Sequence, residues 1–247
     1  NKESITLNLK SKKAIEIVKE LVKKADVVTE NFKPGTMEKL GIGYEVLKEI
    51  NPKIIFASTS GFGQTGPYSN RPAYDGVIQA MGGIMSITGQ KGGEPTRVGP
   101  SIADIIAGLF TAIGVLSALN KRKHTGEGMN VDVSMLDCQV GVLENAISRY
   151  FVTGESPKPM GNRHASVTPF EPFDTRDGQI IVAVANDNLF AKLCKLLNLE
   201  NLITDEKFVT NALRTQNYEE LRPILAEKML EKSTEEWKVA LLDAGIP

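Results

Sequence analysis

Asp104 closes the segment Gly99-Pro-Ser-Ile-Ala-Asp104, at the entry to a long apolar stretch. With Ser101 as N-cap, Asp104 lies three residues into a helix, where the positive end of the helix dipole stabilises a carboxylate. Two readings follow. Ser-x-x-Asp is the pattern of a capping box that holds two backbone N–H groups. A carboxylate kept ionised and partly desolvated at an apolar helix start also meets the needs of a nucleophile. Spacing alone leaves both open.

A second group of residues could handle an anion. Gly61-Phe-Gly-Gln-Thr-Gly66 directly follows a strand pattern, and glycines there let backbone N–H groups approach a phosphate. The spacing is neither the dinucleotide fingerprint nor a P-loop, so a plain connecting loop is the alternative. Lys10, Lys33, Lys39 and Arg71 each fall at or just after an expected strand end or turn. Ligands of parallel α/β sheets gather at such ends. Singly these are solvated charges; together around one crevice they could bind the phosphates of a nucleotide-like cofactor. Tyr74 could donate a hydrogen bond to a carbonyl, or simply pack at a core edge. His164, in Gly161-Asn-Arg-His164, could serve as an acid or base, or be a hydrogen-bonded loop residue.

The elements that must position these residues are legible from periodicity. Ser4–Leu9 alternates as a half-buried strand would, and Ser11–Ala25 repeats apolar residues at helical spacing. A strand starts at Asp26, a short helix covers 44–50, and Lys53–Ser60 is a strand of near-continuous apolar character at its start. A helix is expected over 73–81. Ser101–Leu119 predicts a long helix buried on most faces. A basic turn over Lys121–Gly128 and a strand over Met129–Met135 follow. A second long helix is expected over Leu136–Val152. Strands alternating with helices imply a parallel sheet with crossover helices. Gly154, Pro157 and Pro159 mark a domain crossing. Beyond it, Phe170–Asp174 and Gln179–Val184 form a hairpin around Arg176-Asp177-Gly178, and helices follow at about 187–197, 216–231 and 234–244. The fold class is therefore α/β, with a Rossmann-like parallel-sheet domain over residues 1–152 and a smaller α+β domain over 153–247.

Composition narrows the function. With 247 residues, 41% hydrophobic, the chain can bury a sizeable core. Its 29 basic and 30 acidic side chains leave a formal charge of −1, so no global field attracts nucleic acid or a membrane surface. No charge-free apolar run of about 18 residues occurs, and no transmembrane helix is expected. Cys138 and Cys194 are not paired as CxxC and read as buried small hydrophobes, which fits a reducing cytoplasm. His124 and His164 have no carboxylates at ligand spacing, so no metal site is expected. The chain starts at Asn1 without Met and stops at Gly245-Ile-Pro247, and reads as an internal piece of a longer protein.

Several segments together resemble the family III CoA-transferases. They are Glu30-Asn-Phe-Lys-Pro-Gly35, Leu40-Gly-Ile-Gly-Tyr-Glu45, Asn51 through Pro67, Tyr74-Asp75, Ala103-Asp104, Thr125-Gly-Glu-Gly128, Gly161-Asn-Arg-His164 and Asp243-Ala-Gly-Ile-Pro247. The resemblance covers essentially the whole chain. It implies transfer of coenzyme A from an acyl-CoA donor to a small carboxylic acid, with no permanently bound cofactor. Asp104 would be the nucleophile, forming a mixed anhydride and then an enzyme–CoA thioester. It places CoA contacts on Leu7, Asn8, Leu9 and Lys10, on Asn31, Phe32 and Lys33, on Lys39, and on Arg71, Pro72, Ala73 and Tyr74. It also implies a homodimer of two interlocked rings. The same family holds α-methylacyl-CoA racemases, whose catalytic histidine would stand at Tyr74. A phenol titrates near about pH 10 and shuttles protons poorly at neutral pH, which favours transfer. A CoA-binding chain without catalysis is the third reading.

Overall fold

A computed structural model describes residues 2–247. In chain order the elements are α1 (Lys12–Val22), β1 (Val27–Glu30), α2 (Thr36–Lys39), α3 (Tyr44–Ile50), β2 (Ile55–Ser60), α4 (Asp75–Met81), α5 (Ile84–Ile87), α6 (Ile102–Thr125), β3 (Met129–Ser134), α7 (Met135–Gly141) and α8 (Asn145–Thr153). Then come β4 (Phe170–Asp174), β5 (Gln179–Ala183), α9 (Asp187–Leu196), a 3₁₀ turn over Glu200–Ile203, α10 (Asn211–Gln216), α11 (Tyr218–Met229) and α12 (Thr234–Asp243). They divide into two compact units. The first reaches to Gly89 and resumes over Glu94–Pro159; the second holds Gln90–Gly93 and Met160–Pro247.

The first unit is built on a parallel sheet in the order β1-β2-β3. Val27 pairs with Ile55, and Ile55 with Met129. Central β2 is buried on both faces, as a parallel strand covered by helices must be, and is apolar over its first half. Alternate side chains therefore serve different cores. Phe56 packs with Val22, Met37, Leu47 and Ile54 under α1 and α3. On the other side Thr59 bonds Thr111 of α6 through their hydroxyls at 2.7 Å, while Val131 and Val133 meet Ile106.

The structure corrects four expectations in this unit. Residues 4–9 form no strand; alternation makes a strand only where a ladder partner exists. The expected basic turn after Leu119 is helical instead, because α6 runs on to Thr125 and stops at Gly126, whose φ of 76° caps it. The expected helix over Leu136–Val152 breaks into α7 and α8 at Glu144, at φ 50°. Gly141, the last residue of α7, is the one sequence mark near that break. Finally, α6 is not buried on most faces: Leu109 is 60% and Leu116 65% exposed. By length and composition it is also long and apolar enough to cross a membrane. Its other face, carrying Ala103, Ile106, Ala107 and Ala118, is buried, and the helix packs on β2 and β3 as a crossover helix does.

The second unit carries the expected hairpin, β4 antiparallel to β5 with Asp174 opposite Gln179. Fifteen buried side chains, among them Phe173, Phe190, Leu221 and Trp237, form one continuous core with α9, α11 and α12. Both cysteines are buried, as expected, and burial pushes the Cys194 thiol up to about 12.

Candidate active site

Three segments at the carboxyl end of the parallel sheet, the Asn31–Pro34 turn after β1, the Ser60–Gly61 end of β2 and the Arg71–Tyr74 loop, converge on the first turns of α6. They enclose an open cleft of about 1060 Å³. Parallel sheets open their ligand crevices at this end. Asn31 is fixed by donating from Nδ2 to the Thr59 carbonyl. Glu30 accepts the Phe32 N–H at 2.7 Å, which turns Phe32 and Lys33 into the cleft. Gly61 is forced by close approach: a Cβ there would lie 2.4 Å from the Ala73 Cβ. The Arg71 guanidinium stacks 3.8 Å over the Tyr68 ring, which meets Phe62 edge-on.

Asp104 projects from α6 into this cleft. It is solvent-exposed, yet the walls partly desolvate it. That desolvation, and next the negative charge of Asp75, raise its carboxyl above the ordinary aspartate value. Among the described residues no hydrogen bond occupies it, and Ser101 gives α6 no side-chain cap. The capping-box reading of Ser101 and Asp104 is thus overturned. The reason lies 28 residues upstream. Asp75, at the start of α4 and buried, accepts the Ala103 N–H at 3.0 Å and caps α6 from outside. Its second oxygen accepts from Gln79 Nε2 at 2.8 Å, and Arg97 Nε stands 3.5 Å away.

Of the residues singled out from sequence, Asn31, Phe32, Lys33, Arg71, Pro72, Ala73, Tyr74 and Asp104 line the one cleft. Leu7, Asn8, Leu9, Lys10 and Lys39 are outside its lining. Asn8 instead organises the turn into α1, its Oδ1 accepting the Lys10 N–H at 3.1 Å. The glycine loop is not a free phosphate cradle. The Gln64 N–H is taken by the Asp132 carboxylate at 2.9 Å, so the connecting-loop reading holds there. His164 stacks on Phe170 and accepts the Ser166 N–H through Nδ1, the bonded loop role. Sequence reasoning missed the face of α6 below Asp104, where Ala107, Gly108, Thr111 and Val115 line the cleft. Their offsets of 3, 4, 7 and 11 from Asp104 are helical-face spacing and carried that signal. It also missed Gln79, four residues from Asp75 and hence on the same face of α4.

The arrangement offers an unengaged carboxylate in the cleft and cations, Lys33 and Arg71, on the loops that line it. Comparison with known proteins agrees. The family model for CoA-transferase family III matches residues 1–247. An acyl-CoA transferase of Fusarium pseudograminearum is 43% identical over the whole chain, which covers 54% of it. An acetyl-CoA:oxalate CoA-transferase of Acetobacter aceti is 44% identical over the whole chain, covering 64% of that protein. A succinyl-CoA:glutarate CoA-transferase of Mus musculus is 40% identical, with 57% covered. The chain thus spans between about half and two thirds of these relatives. Among solved structures, a CAIB/BAIF family protein from Brucella suis superposes with a TM-score of 0.82 at 42% identity, over 98% of this chain and 64% of that one. The chain belongs to CoA-transferase family III.

Proposed function

We propose that the whole protein transfers CoA from an acyl-CoA donor to a free carboxylic acid, with the Asp104 carboxylate as nucleophile. The observation that carries this reading is that Asp104 is spared helix capping and stands unengaged in the cleft. The carboxylate attacks the thioester carbonyl, breaks its C–S bond and gives an aspartyl anhydride and CoA thiolate. The thiolate attacks the aspartyl carbonyl and releases the donor acid, leaving an enzyme–CoA thioester. The acceptor carboxylate then attacks that thioester and expels the thiolate again. The thiolate takes the acceptor acyl group and frees Asp104. No proton or redox partner is needed.

Lys33 and Arg71 supply the charge that the CoA phosphates require. Oxalate and glutarate, named for the relatives, point to a short di-acid as acceptor. The test is a panel of acyl-CoA donors and free acids, with new acyl-CoA species followed by mass spectrometry beside Asp104→Ala. New acyl-CoA from the wild type alone supports transfer. Exchange at the α-carbon without acid exchange would put racemisation in its place, and CoA binding without turnover would leave only a binding chain.

A further inference from the structure

The first turn of a helix leaves backbone N–H groups that its own N-cap side chain normally satisfies. In α6 the natural candidate, Ser101, does not do so. We propose that Asp75 is a positioning residue, whose carboxylate, clamped by Gln79 and Arg97, caps the first turn of α6 from α4 and so holds the Asp104 carboxylate free to attack. The proposal rests on Asp104 being the nucleophile.

The geometry makes the clamp specific. Asp75 Oδ1 accepts the Ala103 N–H at 3.0 Å, one residue before Asp104. Asp75 Oδ2 accepts from Gln79 at 2.8 Å. Gln79 is wholly buried, and its Oε1 accepts the Val98 N–H at 2.9 Å. The Gln79 amide N–H also points at the Val98 and Pro100 carbonyls, at 3.4 and 3.5 Å. One side chain therefore ties α4 to the whole run that leads into α6. A buried carboxylate is tolerated only when its oxygens are occupied and its charge is balanced. Here both oxygens are occupied, and Arg97 reaches the charge from the exposed side. Ile78 of α4 packs with Ala103 and Ala107 directly beneath, so the two helices share a rigid footing. A displacement of about 1 Å at a reacting group costs on the order of 100-fold in rate. Asp75 also adds to the rise of the Asp104 carboxyl, second to desolvation.

Among the described residues, the other charged and titratable groups on elements around the start of α6 are Lys2, Glu30, Lys33, Arg71, Tyr74, Asp132 on β3, and Asp137 and Cys138 on α7. Asp132 is already engaged by Gln64. The Asp75 and Arg97 variants leave all of these unchanged, so a shift at Asp104 reports the clamp.

The experiment follows the Asp104 carboxyl by carbon NMR through a pH titration in the wild-type whole protein, Asp75→Asn and Arg97→Gln. Alongside, kcat and KM for acyl-CoA are measured in these variants and in Asp75→Ala. Asp75→Asn keeps an oxygen for the Ala103 N–H and removes the charge. The Asp104 midpoint should fall, and the acid limb of kcat/KM should move to lower pH with it. Arg97→Gln leaves the Asp75 charge less balanced, so the midpoint should rise. Asp75→Ala should lower kcat by about tenfold to 100-fold, with KM for acyl-CoA within about twofold. An Asp104 midpoint unmoved in both Asp75→Asn and Arg97→Gln overturns the proposal, as does an unchanged kcat in a folded Asp75→Ala. If Asp75→Ala does not fold, the two charge-removing variants, Asp75→Asn and Arg97→Gln, decide alone. If the midpoints move as expected while the wild type exchanges no acid, the transferase reading falls and the positioning role falls with it, leaving Asp75 only as the cap of α6.

Discussion

The two units satisfy their own chemistry to different degrees. In the second, three of four helices begin with a side-chain cap, from Asn186, Thr210 and Ser233. Its fifteen-residue core is continuous, and even the fully buried Arg214 is spent on Asp187, Thr168 and Phe208. In the first, only α7 carries a cap from its own N-terminus, Ser134. The core is split into three small clusters. Ser60 Oγ, Gln64 Nε2 and both polar atoms of Gln139 are buried without partners among the described residues. Most of the unspent groups fall in the unit that holds the cleft, and the second unit leaves only Arg163 Nε buried in this way among the described residues. A self-sufficient unit gains stability from its side chains, whereas a working unit keeps some of them in reserve.

That contrast predicts a separation of activity from stability. The largest effect is on turnover: Asp104→Asn should cost about four orders of magnitude or more in kcat. Because Asp104 is exposed and unbonded, the melting midpoint should stay within about 2 °C of wild type. A comparable loss of stability would mean that Asp104 is structural, and the contrast would break. Next comes Trp237→Ala in the second unit. It empties a core site and orphans the Met229 carbonyl that Nε1 now bonds at 2.7 Å. Denaturant unfolding should show a loss of about 3–5 kcal/mol.

Ser233→Ala removes a complete capping box, in which Ser233 and Glu236 each hold the other's backbone N–H. About 1 kcal/mol should be lost, with transfer unaffected. The same end of α12 gives a pH effect. Hydrogen bonds from the Thr234 backbone and hydroxyl hold the Asp177 carboxyl below its usual value, and Ser233 does the same for Glu236. A depressed carboxylate stabilises the fold above its unfolded value, near about pH 4, and that contribution is lost as pH falls through the folded value. Acid melts of the second unit should therefore lose a step in Asp177→Asn. The smallest effect is expected at Leu116→Ser on the open face of α6: within about 0.5 kcal/mol for the isolated chain. In the whole protein a larger loss would identify this face as covered.

Much of the fold was legible because local rules were enough. Residues 44–50, halted by Asn51-Pro52, form the helix that the spacing predicts, and the Arg176-Asp177-Gly178 turn closes the expected hairpin. Asp104 was legible as a carboxylate at an apolar helix start, and Arg71 and Lys33 as cations beside sheet ends. What sequence pattern could not decide was who satisfies whom. The α6 cap comes from Asp75, distant along the chain, and local pattern offered Ser101 instead. The strand pattern at 4–9 stays unpaired because a ladder needs a neighbour as well as an alternation.

By itself, then, the sequence determined the periodicities, the turns and the chemical types that gather near Asp104, since these depend on residues a few positions apart. Only the tertiary structure decided which apolar face of α6 is covered, which carboxylate caps it and which is left free. Each of those outcomes is a competition for partners between segments brought together by packing, and no short window of sequence contains both contestants.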